Sequence, residues 1–285
     1  MTVNDVTADN LSYSFAWKNQ AETKAKVDVA KQAEQQAFRV SDDGNYIIVT
    51  CKVCAAEMSC DVNVSFTLGG KTETEVYSVR KYGDSVLNPT AEWLTKYKDQ
   101  YPDGTAKSYA NLVALVKAML DYGAKAQTVF GVNFGVNTGD PANSILTGAN
   151  AYTMDENVDS AKIDEAINEA NDELASDMTE LFGENFKTPS LVFLDESALK
   201  LYFEKKDPAF DTTGLDPWNN YYVTQKRNIP AKELDTLQNF RVNNKDIKYS
   251  ALDYAKVLLA TDNADYQSLA KALYWYNKAA NVYFD

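Results

Sequence analysis

Apolar residues recur at alternating steps of three and four along LVALVKAMLDYGAKAQTVF, residues 112–130. Leu112, Leu115, Met119, Tyr122, Ala126 and Val129 therefore form one stripe of an amphipathic helix. The spacing returns at the C-terminus in Tyr266, Leu269, Leu273, Tyr276, Ala280 and Tyr283, and Lys117-Ala118 is matched by Lys271-Ala272. Two helices with one face pattern are expected to pack against the same kind of partner. The pattern predicts a tandem of two related modules.

Ahead of each long helix the period is two. Leu11, Tyr13, Phe15 and Trp17 alternate with polar or small residues, as a half-buried strand does. Weaker alternations follow at Lys24 to Ala30 and at Ala37 to Val40, and Tyr46 to Val53 is rich in β-branched residues. Val62, Val64, Phe66 and Leu68 alternate strictly, and Gly69-Gly70 turns the chain into a further strand near Glu73 to Tyr77. Short strands joined by turns predict an antiparallel sheet or a sandwich. At Ser78 the period changes to about 3.6. Ser78 is placed to cap a helix from Val79 to about Leu87, with Tyr77 and Tyr82 at the positions of a hydrophobic staple. A second helix, Thr90 to about Gln100, is stopped by Pro102-Asp103-Gly104.

The stretch 131–150 is rich in Gly, Asn, Thr and Ser, and reads as a linker. Asp159 to Phe182 carries a helical stripe through Ile163, Ile167, Ala170, Leu174, Met178 and Leu181, with an acidic opposite face. In the second half Leu199, Leu201 and Phe203 alternate, Asp207 to Asn220 reads as a loop bearing Trp218, and Tyr221 to Ile229 reads as a strand. Pro230 to Leu234 stands where the first half has Cys54 to Met58, and Phe240 and Val242 mirror Val64 and Phe66. YSALDY, beginning at Tyr249, echoes YSVRKY, beginning at Tyr77, with Asp253 at the third helical position, where an acid faces the helix dipole. Four landmarks in one order imply an internal repeat. The expected fold is α+β, with two related modules, each an antiparallel, sandwich-like β-layer covered by a helical hairpin. The expected division is 1–138, a linker 139–158, a connecting helix 159–189, and 190–285.

The formal charge of −13 disfavours nucleic acid and anionic membrane as partners. No apolar run is long enough to span a bilayer. The first ten residues are polar and lack the features of a signal peptide, so an exported protein would be represented by a piece of a longer chain. Histidine is absent, which removes the commonest general base and metal ligand. Cys51, Cys54 and Cys60 read foremost as buried structural cysteines. A disulfide involving Cys60 is a second reading, and no further ligands complete a zinc site. Asp155, Glu156 and Asp159 do not follow an EF-hand spacing and read as a solvated helix start.

EVYSVRKYGDSVL and LVKAMLDYGAKAQTVFGVN resemble a repeated module of very large secreted or cell-surface proteins of gut Firmicutes. In that family a β-rich segment leads to a YSVRDY-like helix start and closes on an LVKALLNYGAYAQ-like helix. IKYSALDYAKVLL and LAKALYWYNKAANVYF resemble its C-terminal partner. The resemblance spans most of the chain except roughly 140–190. It rests on scaffold residues, and it implies an extracellular or cell-surface, non-catalytic module of a larger multidomain chain. It also implies neighbours that process or bind glycans or mediate adhesion.

No phosphate-binding glycine loop, nucleophile elbow or zinc-protease signature occurs, and without histidine a Ser-His-Asp triad is impossible. Neither a cofactor nor a metal is called for. An unequal spacing is more informative. Forty residues separate Tyr82 from Tyr122 but twenty-two separate Tyr254 from Tyr276, so the first half carries eighteen more, around 88–106. The extra segment holds Trp93, Tyr97 and Tyr101 on one helix face. An aromatic stripe is usually core, yet an insertion lies outside the shared core. Flat apolar rings with polar edges suit stacking on sugars, and Lys96, Asp99 and Gln100 could add hydrogen bonds. Trp218 and Tyr221, with Asn219 and Asn220 beside them, form a second candidate. Its bland alternative is a tryptophan folded back over a sheet edge. Trp17 and Trp275 fall in periodic elements and read as packing residues.

These features favour a non-catalytic surface module that binds plant or host polysaccharide through Trp93, Tyr97, Tyr101, Trp218 and Tyr221. The alternative is a spacer or an adhesion module whose partner is another surface protein. A glycan-active enzyme with an unmarked carboxylate pair is the third reading.

Overall fold

The computed structural model describes residues 11–17, 25–28, 38–41, 44–49, 53, 55–59, 61–130, 158, 160–166, 198–199, 202–204, 215–218, 221–224, 227–242 and 245–285. Residues 1–10, the 131–150 linker, Cys51, Cys54, Cys60 and all but the start of the expected 159–182 helix lie outside them.

The first half supplies β1 (Leu11–Trp17), β2 (Ala25–Asp28), β3 (Phe38–Val40), β4 (Ile47–Val49), β5 (Val62–Leu68) and β6 (Lys71–Tyr77). β2, β1, β5 and β6 form a four-stranded antiparallel sheet in that order, and β3 pairs with β4. Gly69 and Gly70 join β5 to β6 with φ of 56° and 80°. Two successive positive φ values suit the right-handed twist of a tight hairpin, and glycine takes them without strain. Ser65 and Thr74, then Thr67 and Thr72, link their hydroxyls across this hairpin at 2.8 and 2.7 Å.

Helix α1 (Val79–Leu87) follows Ser78, whose hydroxyl accepts from Lys81 N–H at 3.1 Å. Helix α2 (Ala91–Gln100) starts at Thr90, whose hydroxyl accepts from Trp93 N–H at 3.2 Å. Each cap satisfies one of the orphan donors of a first turn. Helix α3 (Tyr109–Phe130) carries the long stripe, and α4 (Ser160–Ala166) opens the connecting segment.

In the second half, β7 (Ala198–Leu199) pairs with β11 (Arg227–Asn228), and β10 (Tyr221–Thr224) lies between β8 (Tyr202–Glu204) and β9 (Leu215–Trp218). Of the strands expected through Leu199–Phe203 and Tyr221–Ile229, the described residues form β7 and β8, and β10 and β11. The end of the expected loop 207–220 is strand β9. β12 (Gln238–Val242) and β13 (Lys245–Tyr249) form a hairpin leading to α5 (Ala251–Leu259) and α6 (Ala264–Phe284). The architecture is α+β with small antiparallel sheets.

The core lies where α3 packs along α6. Tyr122 and Tyr276, equivalent positions in the two stripes, stack at 5.7 Å between centroids and 19° between planes. Ala118, Ala126, Ala272 and Ala280 are wholly buried on these helices. Trp275 is half-buried against the core and meets the Tyr274 ring edge-on at 5.2 Å.

Several contacts occur twice. Arg80 N–H donates to Met58 C=O at 2.9 Å, and Leu252 N–H to Leu234 C=O at 3.1 Å. A 3₁₀ turn packs on each long helix, Ala55–Glu57 on α3 and Ala231–Glu233 on α6. The Gln127 amide donates to Ser59 Oγ, and the Asn281 amide to Asp235 Oδ2.

The staple positions differ in burial. Tyr249 is 2% exposed, while Tyr77, its counterpart, is 50% exposed. Burial pushes the Tyr249 phenol well above its ordinary pKa, with Asp253 and Tyr254 adding to the shift. Its hydroxyl has no hydrogen-bond partner among the described residues. A buried donor left unmade costs stability, so Tyr249→Phe is expected to raise stability by about 1 kcal/mol. Urea unfolding at neutral pH checks this. A loss of stability would mean that the hydroxyl has a partner.

Candidate functional site

The inserted segment is a surface helix. None of the α2 residues is buried, and Trp93 is 38% exposed. The Tyr101 N–H closes the last turn on Tyr97 C=O at 2.8 Å, and Pro102 follows. Gly104, at φ 88°, lets the chain reverse toward α3, a conformation that other residues rarely adopt. Glu92 and Lys96 pair at 2.8 Å, and Lys98 approaches Asp103 at 3.8 Å.

Spacing of four puts Trp93, Tyr97 and Tyr101 in a row. The Trp93 and Tyr97 rings stack with centroids 5.0 Å apart and planes 22° apart. Tyr97 and Tyr101 are also 5.0 Å apart, tilted by 49°. Tyr109, from the first turn of α3, sets its ring edge-on to both Trp93 and Tyr97 at 6.3 Å. Its hydroxyl donates to Val86 C=O at 2.8 Å, which ties α3 to the end of α1. Lys107 Nζ lies 5.9 Å from the Tyr101 centroid, at the outer limit of a cation–π contact.

The far end of the chain enters this cluster. The Tyr97 hydroxyl donates to Lys107 C=O at 2.8 Å and lies 3.0 Å from the Tyr283 hydroxyl. With its one proton on Lys107, Tyr97 accepts from Tyr283. Burial raises the Tyr97 pKa, and the Tyr283 hydrogen bond and the charges of Tyr283, Tyr101 and Tyr82 raise it further. Burial also raises that of Tyr82, with contributions from Tyr283 and Tyr77. These phenols stay protonated at neutral pH. At that pH they are neutral hydrogen-bonding groups.

The structure thus brings Trp93, Tyr97 and Tyr101 together and adds Tyr109, Tyr82 and Tyr283, which the sequence did not single out. Tyr109 sits beside the insertion and could have been suspected. Tyr283 is reached only through the packing of α3 on α6. Tyr97, flanked by two rings, keeps neither face free. Trp93 ends the row and is its most exposed ring. Of the polar candidates, Lys96 is held by Glu92, Gln100 donates to the Tyr101 hydroxyl at 3.2 Å, and Asp99 is exposed.

The second candidate sits on strands. Trp218 and Tyr221 are direct register partners of the β9–β10 pair, and Pro217 stands opposite Tyr222. Asn219 and Asn220 lie outside the described residues. The main packing of α2 is against α3, whereas β9 and β10 pair with each other and β10 with β8. The two aromatic groups therefore belong to separate elements and are not joined into one platform by the described contacts.

Among the described residues no cluster of His, Cys, Asp or Glu could hold a metal ion. No helix among them is long and apolar enough to cross a membrane. No known protein family, curated protein or solved structure matches the chain.

Proposed function

We propose that the chain is a non-catalytic module of a bacterial cell-surface protein, built from two related units, that binds polysaccharide through exposed aromatic side chains. The observation that carries the glycan reading is Trp93. It is a partly exposed indole at the end of an aromatic row, on an inserted helix none of whose residues is fully buried. Tyr97 is enclosed by its neighbours, so the ring offered to a ligand is that of Trp93. An indole face matches the axial C–H groups of a sugar, and neighbouring phenols and Asp99 match its hydroxyls. Trp218 and Tyr221, adjacent across β9 and β10, are a second stacking pair in this reading. The relation between the units is supported by the serine caps of α1 and α5 and by the duplicated contacts around Ser59 and Asp235.

Affinity electrophoresis through gels containing plant or host polysaccharides tests the proposal. The intact protein is expected to be retarded by at least one of them. Trp93→Ala is expected to weaken binding about tenfold, close to what one stacking residue contributes in an aromatic site. Absence of retardation on every polysaccharide, with glycan-array binding also absent, would overturn the reading.

One observation favours the spacer or adhesion reading as the alternative. Trp93, Tyr97 and Tyr109 already spend much of their ring surface on one another. Acrylamide quenching separates the two: a Trp93→Phe protein that quenches like the wild type would mean that this indole is shielded.

A further inference from the structure

Rings at steps of four along a helix can meet a glycan in two ways. Laid side by side in one plane, they make a flat strip for a run of consecutive sugars. Stacked face to face, they offer only the outer faces of the stack. The distances decide between the two. Ring carbons touch at about 3.5 Å, so two rings in one plane keep their centroids about 6 Å apart or more. The Trp93 and Tyr97 centroids are 5.0 Å apart, with planes 22° apart. Those of Tyr97 and Tyr101 are also 5.0 Å apart, with planes 49° apart. Both pairs are closer than rings lying side by side can be. No sugar enters between them, and the row is a stack with two ends.

The ends are not alike. At one end Lys107 Nζ stands over the Tyr101 ring, 5.9 Å from its centroid, and the Gln100 amide donates to the Tyr101 hydroxyl at 3.2 Å. At the other end Tyr109 is the ring placed to close Trp93. Its centroid is 6.3 Å from Trp93 and equally 6.3 Å from Tyr97. A ring equidistant from both stands beside the stack and not beyond its end. The bond from the Tyr109 hydroxyl to Val86 C=O, at 2.8 Å, holds it there. Trp93 keeps 38% of its surface exposed, and the indole face turned from Tyr97 is covered by neither tyrosine.

We infer that this site grips one pyranose ring, on the outer face of Trp93. Its ligand class is a single sugar unit, carried on a branch, at a chain end or within a chain alike, and not a run of consecutive units. The inference rests on the glycan reading of Trp93 and narrows it. One indole face stacks on the axial C–H groups of one sugar. The next sugar along a chain finds no second open ring in the row, so added length brings no added stacking.

The test uses oligosaccharides of one to six units, cut by partial hydrolysis from whichever polysaccharide retards the protein. They are titrated into the whole protein and followed at the Trp93 indole N–H by NMR. Expressed per sugar unit, Kd is expected to stay within about threefold from one unit to six, and Trp93→Ala is expected to abolish binding at every length. A strip of three rings would instead tighten binding roughly threefold to tenfold with each added unit. A gain of about tenfold or more by the third unit would overturn the single-ring site and leave the glycan reading standing. So would oligosaccharides that stay silent at millimolar concentration while the parent polymer still retards the protein. Binding unchanged in Trp93→Ala would place the site elsewhere and overturn the inference as well. Retardation by no polysaccharide at all would remove the glycan reading, and this inference with it.

Discussion

Leu120→Ala is expected to destabilise the protein by about 3–4 kcal/mol. Leu120 is wholly buried on α3. Opposite it α1 has a glycine, and a Cβ built on Gly83 would lie 2.7 Å from Leu120 Cδ1. The leucine fills the space that a side chain on α1 would occupy. Truncation leaves a cavity bounded on the α1 side by Gly83, which has no side chain to fill it. The reciprocal change, Gly83→Ala, gains about 1 kcal/mol of helix propensity but forces the close-packed leucine to move, at a cost of about 1–3 kcal/mol. Combined, the two substitutions should relieve each other, because the new methyl enters the new cavity. A double-mutant cycle in urea measures the coupling, expected at about 1–2 kcal/mol in favour of the pair. Additive losses would mean that α1 and α3 do not meet at these two residues.

This contact could not be read from the sequence, although both of its helices could. Val79–Leu87 is bracketed by a serine and by Asn88-Pro89, and the chemistry at both ends is local. The long stripes through Leu112 and Tyr266 were equally plain, because a 3.6-residue period needs no partner to be visible. Strands of the second half behaved otherwise. Leu215–Trp218 contains a proline and reads as a loop, yet it pairs with β10 from the sheet edge, where a missing N–H costs nothing. Which segment finds an edge is decided by tertiary pairing, not by the segment itself.

The candidate site divides along the same line. Trp93, Tyr97 and Tyr101 were legible because one helix carries them at steps of four. The extra length between Tyr82 and Tyr122, relative to Tyr254 and Tyr276, was visible by counting residues. The Tyr97–Tyr283 hydrogen bond joins residues 186 apart in sequence. It depends on α3 lying along α6, which periodicity predicts only as a need for some partner. Likewise, the opposite exposures of Tyr77 and Tyr249 are set by tertiary surroundings, and similar local motifs do not distinguish them.

Ser250→Ala is expected to cost about 2–3 kcal/mol, against about 1 kcal/mol for Ser78→Ala. The two serines do the same local work, accepting from the backbone N–H three residues on, at 3.0 Å for Asp253 and 3.1 Å for Lys81. Their surroundings differ. Asp253 completes a capping box, accepting from the Ser250 N–H and from the Ser250 hydroxyl, each at 2.8 Å. Ser250 is wholly buried, so alanine there removes both the cap and a donor to a buried carboxylate. Bonds to a charged group contribute more than neutral ones, and the carboxylate cannot turn to bulk water for a replacement. Lys81 has no such bond to lose, and Ser78→Ala forfeits the cap alone. Urea unfolding of both variants tests the difference. The cycle through Asp253→Ala locates it: if the carboxylate is the source, Ser250→Ala should cost only about 1 kcal/mol once Asp253 is gone. Equal losses at Ser78 and Ser250 would mean that the box adds nothing beyond an ordinary cap.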